Sequence, residues 1–264
     1  MLKKAIVFDN SGTLLERYRV IKDISTGELI TNINSLSLID NLKNAALVVL
    51  QFNTGCLSKL NPNKKISDLI LENNIKLSIS YSSSDISYDD AYSIIKKDSA
   101  TISDITDGFS LLKEKVENME LCNGSAVILD LKEKKIGYTI TSAGKLFPNV
   151  ISTVHTLKEK GYEIYIASGD RAGAINKLTE IIGIEKSHGF DTANPEGKKE
   201  IVKSLQNENY KVMMVGDGPN DVKAFNQADI SVLTIEQNEN YSDNLEGITD
   251  YVVDDIAKII EIDF

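Results

Sequence analysis

Four short polar segments carry the residue types that move a phosphoryl group. They are Asp9-Asn10-Ser11-Gly12-Thr13, Ser168-Gly169-Asp170, Asn194-Pro195-Glu196-Gly197-Lys198 and Gly216-Asp217-Gly218-Pro219-Asn220-Asp221. In-line displacement at phosphorus needs a nucleophile, a second carboxylate for a divalent metal, a cation, and hydroxyl or amide donors for the phosphoryl oxygens. A carboxylate approaching a phosphate dianion is repelled unless positive charge surrounds the reacting centre, so Asp9 as nucleophile calls for Mg2+ and Lys198. Magnesium takes near-octahedral oxygen coordination with one or two carboxylates, which suits Asp9, Asp217 and the backbone carbonyl of Ser11. Ser168 and the amide of Gly169 are expected to hold the transferred phosphoryl oxygens at a helix N-terminus. Asn220 is expected at the substrate, with Asp170, Asp221 and Thr13 in support behind the reacting groups.

These segments need elements that deliver them to one edge. Residues 5–8 form a continuous apolar run, the pattern of a buried parallel strand, and Asp9 follows its end. After residue 142 the pattern predicts helix 149–160, strand 163–167, helix 171–182, helix 198–206, strand 211–215, helix 220–227, strand 230–233, strand 251–253 and helix 256–260. Such alternation implies a parallel sheet with helices on both faces and ligands at the C-terminal strand ends. Gly161 and Gly183 fall where helix C-caps belong, and the polar run 238–244 reads as a loop. Residues 17–32 predict a hairpin turning through Ser25-Thr26-Gly27-Glu28. From 35 to 142 the rhythm is lost; the pattern offers a strand at 46–51, helices at 66–72 and 109–119, and a hairpin of 126–131 with 136–140. The fold class is α/β, a Rossmann-like core of residues 1–14 and 143–264, with an α+β insertion at 15–142 after the first strand.

The chain has 264 residues, 42% of them hydrophobic and 26% charged, and a net charge of −10. That sign opposes counterion-release binding to a nucleic acid, so no nucleic-acid partner is expected. Cys56 and Cys122 make no disulfide framework or zinc spacing, which points to a cytoplasmic location. The apolar run at 5–8 is too short for a signal peptide, and the run at 45–50 is far below the ~18 residues of a membrane span. His155 and His188 have no Ser or Cys partner in the pattern and read as structural. The Asp104-to-Gly108 segment echoes the first motif without a preceding apolar strand and reads as a turn. Gly216-Asp217-Gly218 has two glycines of a dinucleotide fingerprint, with Asp221 where the third belongs. Lys199 competes with Lys198, and spacing from Pro195 favours the latter. Arg17 and Arg19 lie on the hairpin, either facing a substrate anion or solvated.

In order and placement the four segments resemble those of the haloacid dehalogenase-like (HAD) superfamily. The later ones are most similar to the phosphorylation domain of P-type ATPases: Ser168-Gly169-Asp170 for Thr-Gly-Asp, Pro195 to Lys198 for Pro-x-x-Lys, and Met214 to Ala228 for the long Gly-Asp-Gly signature. Asp9 to Thr13 (DNSGT) parallels DKTGT. The resemblance covers residues 1–14 and 143–235, under half the chain. It implies a magnesium-dependent phosphatase working through an aspartyl-phosphate at Asp9, with a small phosphorylated molecule as substrate. It also implies that the insertion is a cap or, as in the ATPases, a nucleotide-binding domain; the sequence leaves both open. Superfamily phosphatases usually carry a general-acid Asp two residues after the nucleophile, and here that residue is Ser11. A serine does not titrate near neutral pH, so alkoxide leaving groups lose help worth ~10²–10⁴-fold, whereas anhydride, acyl-phosphate or aryl-phosphate substrates suffer less. Two alternatives stand beside this reading: an ATP-driven, autophosphorylating protein, and a phosphate-binding regulatory module of negligible turnover.

Overall fold

The computed structural model describes residues 3–31, 35–116, 123–170, 172–237 and 245–264. The expected loop 238–244, Cys122, Arg171 and the Met119 end of the predicted helix 109–119 lie outside the described residues. In chain order the strands are β1 (Lys3–Phe8), β2 (Leu15–Asp23), β3 (Leu29–Ile30), β4 (Ala45–Leu50), β5 (Leu77–Ser82), β6 (Asn123–Asp130), β7 (Lys135–Leu146), β8 (Glu163–Ala167), β9 (Gly189–Phe190), β10 (Tyr210–Gly216), β11 (Ile230–Thr234) and β12 (Tyr251–Val253). The helices are α1 (Ser35–Leu42), α2 (Ile66–Glu72), α3 (Tyr88–Lys97), α4 (Ile102–Thr106), α5 (Phe109–Lys115), α6 (Val150–Glu159), α7 (Ala172–Ile182), α8 (Pro195–Asn207) and α9 (Val222–Phe225). The chain divides into two compact units, Met1–Arg17 with Gly144–Phe264, and Tyr18–Ala143.

The first unit is an α/β layer structure around a parallel sheet of order β12-β11-β10-β1-β8-β9. Ala5, Ile6, Val7 and Phe8 of its central β1 are all solvent-inaccessible, which is why that strand reads as a continuous apolar run rather than an alternation. On one face Ala5, Val7, Val212 and Met214 pack with Val202 and Leu205 of α8 and Ala224 and Phe225 of α9. Residues of opposite parity, Ile6, Phe8, Met213 and Val215, are equally buried, and α6 packs on β8 and α7. Register places Phe8 beside Val215 on one side and Ile166 on the other. β1, β8 and β10 therefore finish together, and the residues after them share one edge. Gly161 and Gly183 follow α6 and α7 with φ of 86° and 73°, the left-handed geometry of a helix C-terminus.

The second unit is an antiparallel sheet of order β3-β2-β7-β6-β4-β5. Val48, Leu50, Val127, Leu129 and Ile136 on one face meet Ile66, Leu69, Ala91, Ile95, Ile102, Ile105 and Phe109 of the helices. Leu47, Ala126, Ile128 and Ile140 pack with Ile21 and Ile39 in a separate cluster. The Lys22 ammonium bridges Asp104 at 2.7 Å and Asp107 at 2.5 Å.

Several expected elements differ in extent. The predicted helix 109–119 ends at Lys115, and Val116 is extended. The Asp104 segment is not a bare turn: Asp104 lies in α4, where its carboxylate accepts the Thr101 N–H at 2.8 Å and so closes the helix start. The predicted helix 220–227 is a 3-10 turn, Pro219–Asp221, followed by the four residues of α9. Its tightness has a cause, since the Asp221 N–H donates to the Gly218 carbonyl at 3.0 Å. α8 starts three residues before Lys198, and the closing helix is a 3-10 helix, Ile256–Glu261.

Candidate active site

β1 delivers Asp9, whose N–H donates to the Val215 carbonyl at 2.8 Å and ties the end of β1 to β10. The chain then turns sharply: the Asn10 carbonyl accepts from the amides of Thr13, Leu14 and Leu15. Gly12 makes the turn possible with φ of 92°, and a β-carbon there would collide with the Asp217 carboxylate. Glycine at residue 12 thus serves both the left-handed conformation and the approach of the two motifs.

Lys198 enters from the start of α8. The Asn194 side chain caps that helix by accepting the Gly197 N–H at 2.8 Å, and Pro195 fills the first helical position, where no N–H is needed. The Lys198 N–H makes a first helical hydrogen bond, to the Asn194 carbonyl. Its side chain runs inward to 1% exposure, and its ammonium lies 2.5 Å from Asp9 Oδ1 and 2.7 Å from Asp221 Oδ1. Burial opposes the ammonium charge, but the Asp9 and Asp221 carboxylates outweigh it and hold the lysine above its ordinary pKa. Lys199, by contrast, is a surface residue paired with Glu196 at 3.0 Å.

The Asp9, Asp217 and Asp221 carboxylates lie together, one oxygen of each within 4.8 Å of the others. A β-carbon on Gly216 would fall 2.5 Å from the Asp221 carboxyl carbon, so only glycine lets Asp221 fold back under the end of β10. Burial, then the charge of Asp9, pushes Asp221 up to about 7 and Asp217 well above the usual carboxylate range, Arg17 and Lys198 working against the latter shift. Acidic groups crowded enough to resist ionisation are what a divalent cation relieves. Asp221 spends Oδ1 on Lys198 and Oδ2 on the amides of Asp217 and Gly218, at 3.2 and 3.3 Å. Asp9 spends Oδ1 on Lys198. Asp9 Oδ2 and the Asp217 carboxylate are therefore the oxygens suited to an ion, with Asp221 holding the lysine. The buried Asn10 Oδ1 and Thr13 Oγ1, which find no hydrogen-bond partner among the described residues, fit a site completed by a ligand and ordered water. The donor set fits Mg2+.

Ser168 follows β8 at 2% exposure. Its hydroxyl donates to Asp170 Oδ2 at 2.8 Å and accepts the Asp170 N–H at 3.1 Å, while Asn10 Nδ2 donates to the same Asp170 oxygen at 2.7 Å. Asp170 thus fastens the second motif to the first. Gly169 lies in the loop between these residues, with 3.8 Å from its β position to the Ala193 carbonyl. Asn220 is exposed in the 3-10 turn Pro219–Asp221. Ser11 is half-buried beside the cluster loop.

One feature is not legible in the sequence: Asn10 follows the nucleophile as an unremarkable polar residue, and only its partnership with Asp170, 160 positions on, gives it a role. Arg17, for which the sequence leaves two faces open, has its Nη2 3.9 Å from Asp217 Oδ2. The Arg17 N–H donates to Gln237 Oε1 at 2.7 Å and its carbonyl accepts from Gln237 Nε2 at 3.2 Å. His188 is structural, its Nδ1 3.0 Å from the Ile164 carbonyl and its ring stacked on Tyr165.

A parallel sheet that gathers acidic loops and a buried lysine at one edge defines a class of α/β hydrolase. The chain belongs to the haloacid dehalogenase-like hydrolases, whose family pattern matches residues 3–229. It is 36% identical over 262 residues to a Methanocaldococcus jannaschii protein named soluble P-type ATPase-like phosphatase, spanning 99% of this chain and 93% of that one. It is 38% identical over 97 residues to the chloroplastic copper-transporting ATPase PAA2 of Arabidopsis thaliana, which covers 36% of this chain and only 11% of the ATPase. Among solved structures, the catalytic domain of the CPx-ATPase CopB-B shares the fold at 18% identity, with a TM-score of 0.51 over 98% of this chain and 88% of that domain. No helix among the described residues is long and apolar enough to cross a membrane.

Proposed function

We propose that the chain is a magnesium-dependent phosphohydrolase acting on a small phosphorylated molecule through an aspartyl-phosphate at Asp9, with a preference for leaving groups stable as anions. The observation that carries this reading is the pairing of Asp9 with the buried ammonium of Lys198 beside Asp217. Asp9 attacks phosphorus through Oδ1, the oxygen beside Lys198, leaving Oδ2 for the ion; the bond from phosphorus to the leaving oxygen breaks, and that oxygen departs with the electron pair. Water then cleaves the acyl-phosphate, releasing phosphate and regenerating the Asp9 carboxylate. Lys198 aligns Asp9, its ammonium 2.5 Å from Asp9 Oδ1, and sets positive charge beside the attacking carboxylate. When bound by Asp9 and Asp217, Mg2+ supplies Lewis-acid charge to the phosphoryl oxygens. Ser168 serves the phosphoryl group by turning its hydroxyl from Asp170, and the Gly169 amide serves beside it. Ser11 offers no proton to the leaving oxygen, which favours anhydrides, acyl phosphates and aryl phosphates over alkyl esters.

The test is phosphate release from aryl, acyl, anhydride and alkyl phosphates, with Mg2+ and with chelator. Release from the first three, dependent on Mg2+ and lost in Asp9→Asn, supports the reading. Binding of phosphate without turnover of any substrate would favour the regulatory module. A stable label on Asp9 from ATP alone would favour the autophosphorylating protein.

A further inference from the structure

We propose that Asn10 is a positioning residue for the phosphoryl group: it sets how readily the Ser168 hydroxyl releases its proton from Asp170 and turns it to the phosphate. This rests on the phosphohydrolase reading, in which Ser168 serves the phosphoryl oxygens, and assigns the residue that governs that contact.

Two side-chain donors meet at one oxygen, Asp170 Oδ2. Ser168 Oγ donates to it at 2.8 Å and Asn10 Nδ2 at 2.7 Å. A carboxylate oxygen only accepts, so the Asn10 amide must present its nitrogen here. The other end of that amide, Oδ1, finds no hydrogen-bond partner among the described residues, in a side chain of 0% exposure. The backbones on both sides are held. The Asn10 carbonyl accepts from the amides of Thr13, Leu14 and Leu15; the Ser168 N–H donates to the Phe190 carbonyl at 2.9 Å and the Ser168 carbonyl accepts from Ala193 at 2.8 Å; the Asp170 carbonyl accepts from Thr192 at 2.9 Å. Pairing of β1 with β8, Phe8 beside Ile166, sets residues 10 and 168 at the same sheet edge. What is left to turn is the hydroxyl.

A serine hydroxyl has one proton. Here that proton lies on Asp170 Oδ2, and it reaches a phosphoryl oxygen only by leaving. Asn10 favours its release in two ways. Two donors on a single oxygen share its electron density, so each is held less tightly than it would be alone. When the hydroxyl turns away, Asn10 Nδ2 stays, and Asp170 Oδ2 keeps a donor rather than standing unpaired. Without Asn10 the serine proton would be the one side-chain donor to that oxygen and would stay with it. The Ser168 oxygen itself does not move, since it accepts the Asp170 N–H at 3.1 Å and rotation about the Cβ–Oγ bond displaces only the proton. Because Asn10 Oδ1 is unsatisfied, an apolar side chain of the same shape removes one hydrogen bond and one burial penalty together, so the fold loses little.

The experiment is a double-mutant cycle on the full chain, read by titration calorimetry as the affinity for inorganic phosphate with Mg2+. Asn10→Leu should weaken phosphate about 3- to 10-fold, the span of one net hydrogen bond. Ser168→Ala should weaken it by about 10-fold or more, as for a lost hydrogen bond to a charged group. Adding Asn10→Leu to Ser168→Ala should change it by less than about twofold, because Asn10 acts through the serine proton alone. Asn10→Ala makes the same cut without filling the space and should give the same cycle. Mg2+-induced thermal stabilisation should persist in every variant, reporting that it folds and holds the ion. Additive losses, wild-type phosphate affinity in both residue-10 variants, or loss of the fold in both would overturn the proposal and make Asn10 a structural tie between two loops. Phosphate bound equally by the wild type and Ser168→Ala would remove the serine from the phosphoryl group and overturn it too. The parent reading fails separately: a wild type that binds phosphate but releases none from any substrate contradicts hydrolysis, while the cycle still decides the role of Asn10.

Discussion

Gly216 and Asp221 lie backbone against carboxylate, so close that a β-carbon on residue 216 would sit 2.5 Å from the Asp221 carboxyl carbon. Glycine at the end of β10 is therefore a condition for Asp221 reaching Lys198. Gly216→Ala should displace that carboxylate, costing ~1–3 kcal/mol for overpacking and lowering turnover at least about tenfold, since a ~1 Å misplacement costs up to ~10²-fold. Urea denaturation and phosphate release report the two effects; a variant with wild-type values of both would show that the turn relaxes freely.

Lys198→Met should destabilise the metal-free protein by ~3–5 kcal/mol, because it leaves buried carboxylates without their cation. Lys198 is 1% exposed, and its ammonium touches both Asp9 and Asp221. Adding Asp221→Asn to Lys198→Met should recover part of that loss, which a double-mutant cycle measures. Additive losses would mean that Lys198 and Asp221 are not energetically coupled.

The acidic cluster sets a pH dependence. Burial and neighbouring charge raise Asp221 to about 7 and lift Asp217, so the folded state holds these protons more tightly than the unfolded chain, where a carboxyl titrates near ~3.9. Stability from such groups is complete below the unfolded value and is lost as pH rises through the folded one. The melting temperature of chelator-treated protein should fall between about pH 4 and about pH 7, and the stabilisation by added Mg2+ should grow over the same range. A Mg2+ shift independent of pH would place the ion away from these carboxylates.

Ser11→Asp restores a titratable group two residues after the nucleophile. General-acid help is worth ~10²–10⁴-fold, so turnover of an alkyl phosphate should rise about tenfold or more, with little change for an aryl phosphate. Unchanged alkyl-phosphate turnover would show that residue 11 does not face the leaving oxygen.

What the sequence made legible follows from physics local to each element. β1, β8 and β10 are buried on both faces and read as apolar runs ending in polar loops, so convergence of Asp9, Ser168 and Asp217 on one edge followed from strand polarity. Lys198 was separable from Lys199 by its spacing from Pro195, the first residue of α8. The second unit was harder. β5 alternates Leu77, Ile79 and Tyr81 with Ser78, Ser80 and Ser82 at the sheet edge, a strand pattern masked by the serine run that continues through Ser84. α3 is signalled chiefly by the Ser87–Asp90 capping box, a local cue easily passed over beside a serine-rich run. Long-range partners were out of reach: the Asn10–Asp170 bond, the approach of Arg17 to Asp217 and the Gln237 clamp join segments that no local pattern connects.

The central claim is that Asp9 becomes phosphorylated. Rapid acid quench of the wild-type protein turning over an acyl or aryl phosphate with Mg2+, followed by peptide mass spectrometry, should find one phosphoryl group on the peptide containing Asp9, acid-stable and released by hydroxylamine, and none in Asp9→Asn. Steady phosphate release with no such adduct, undiminished in Asp9→Asn, would contradict the account.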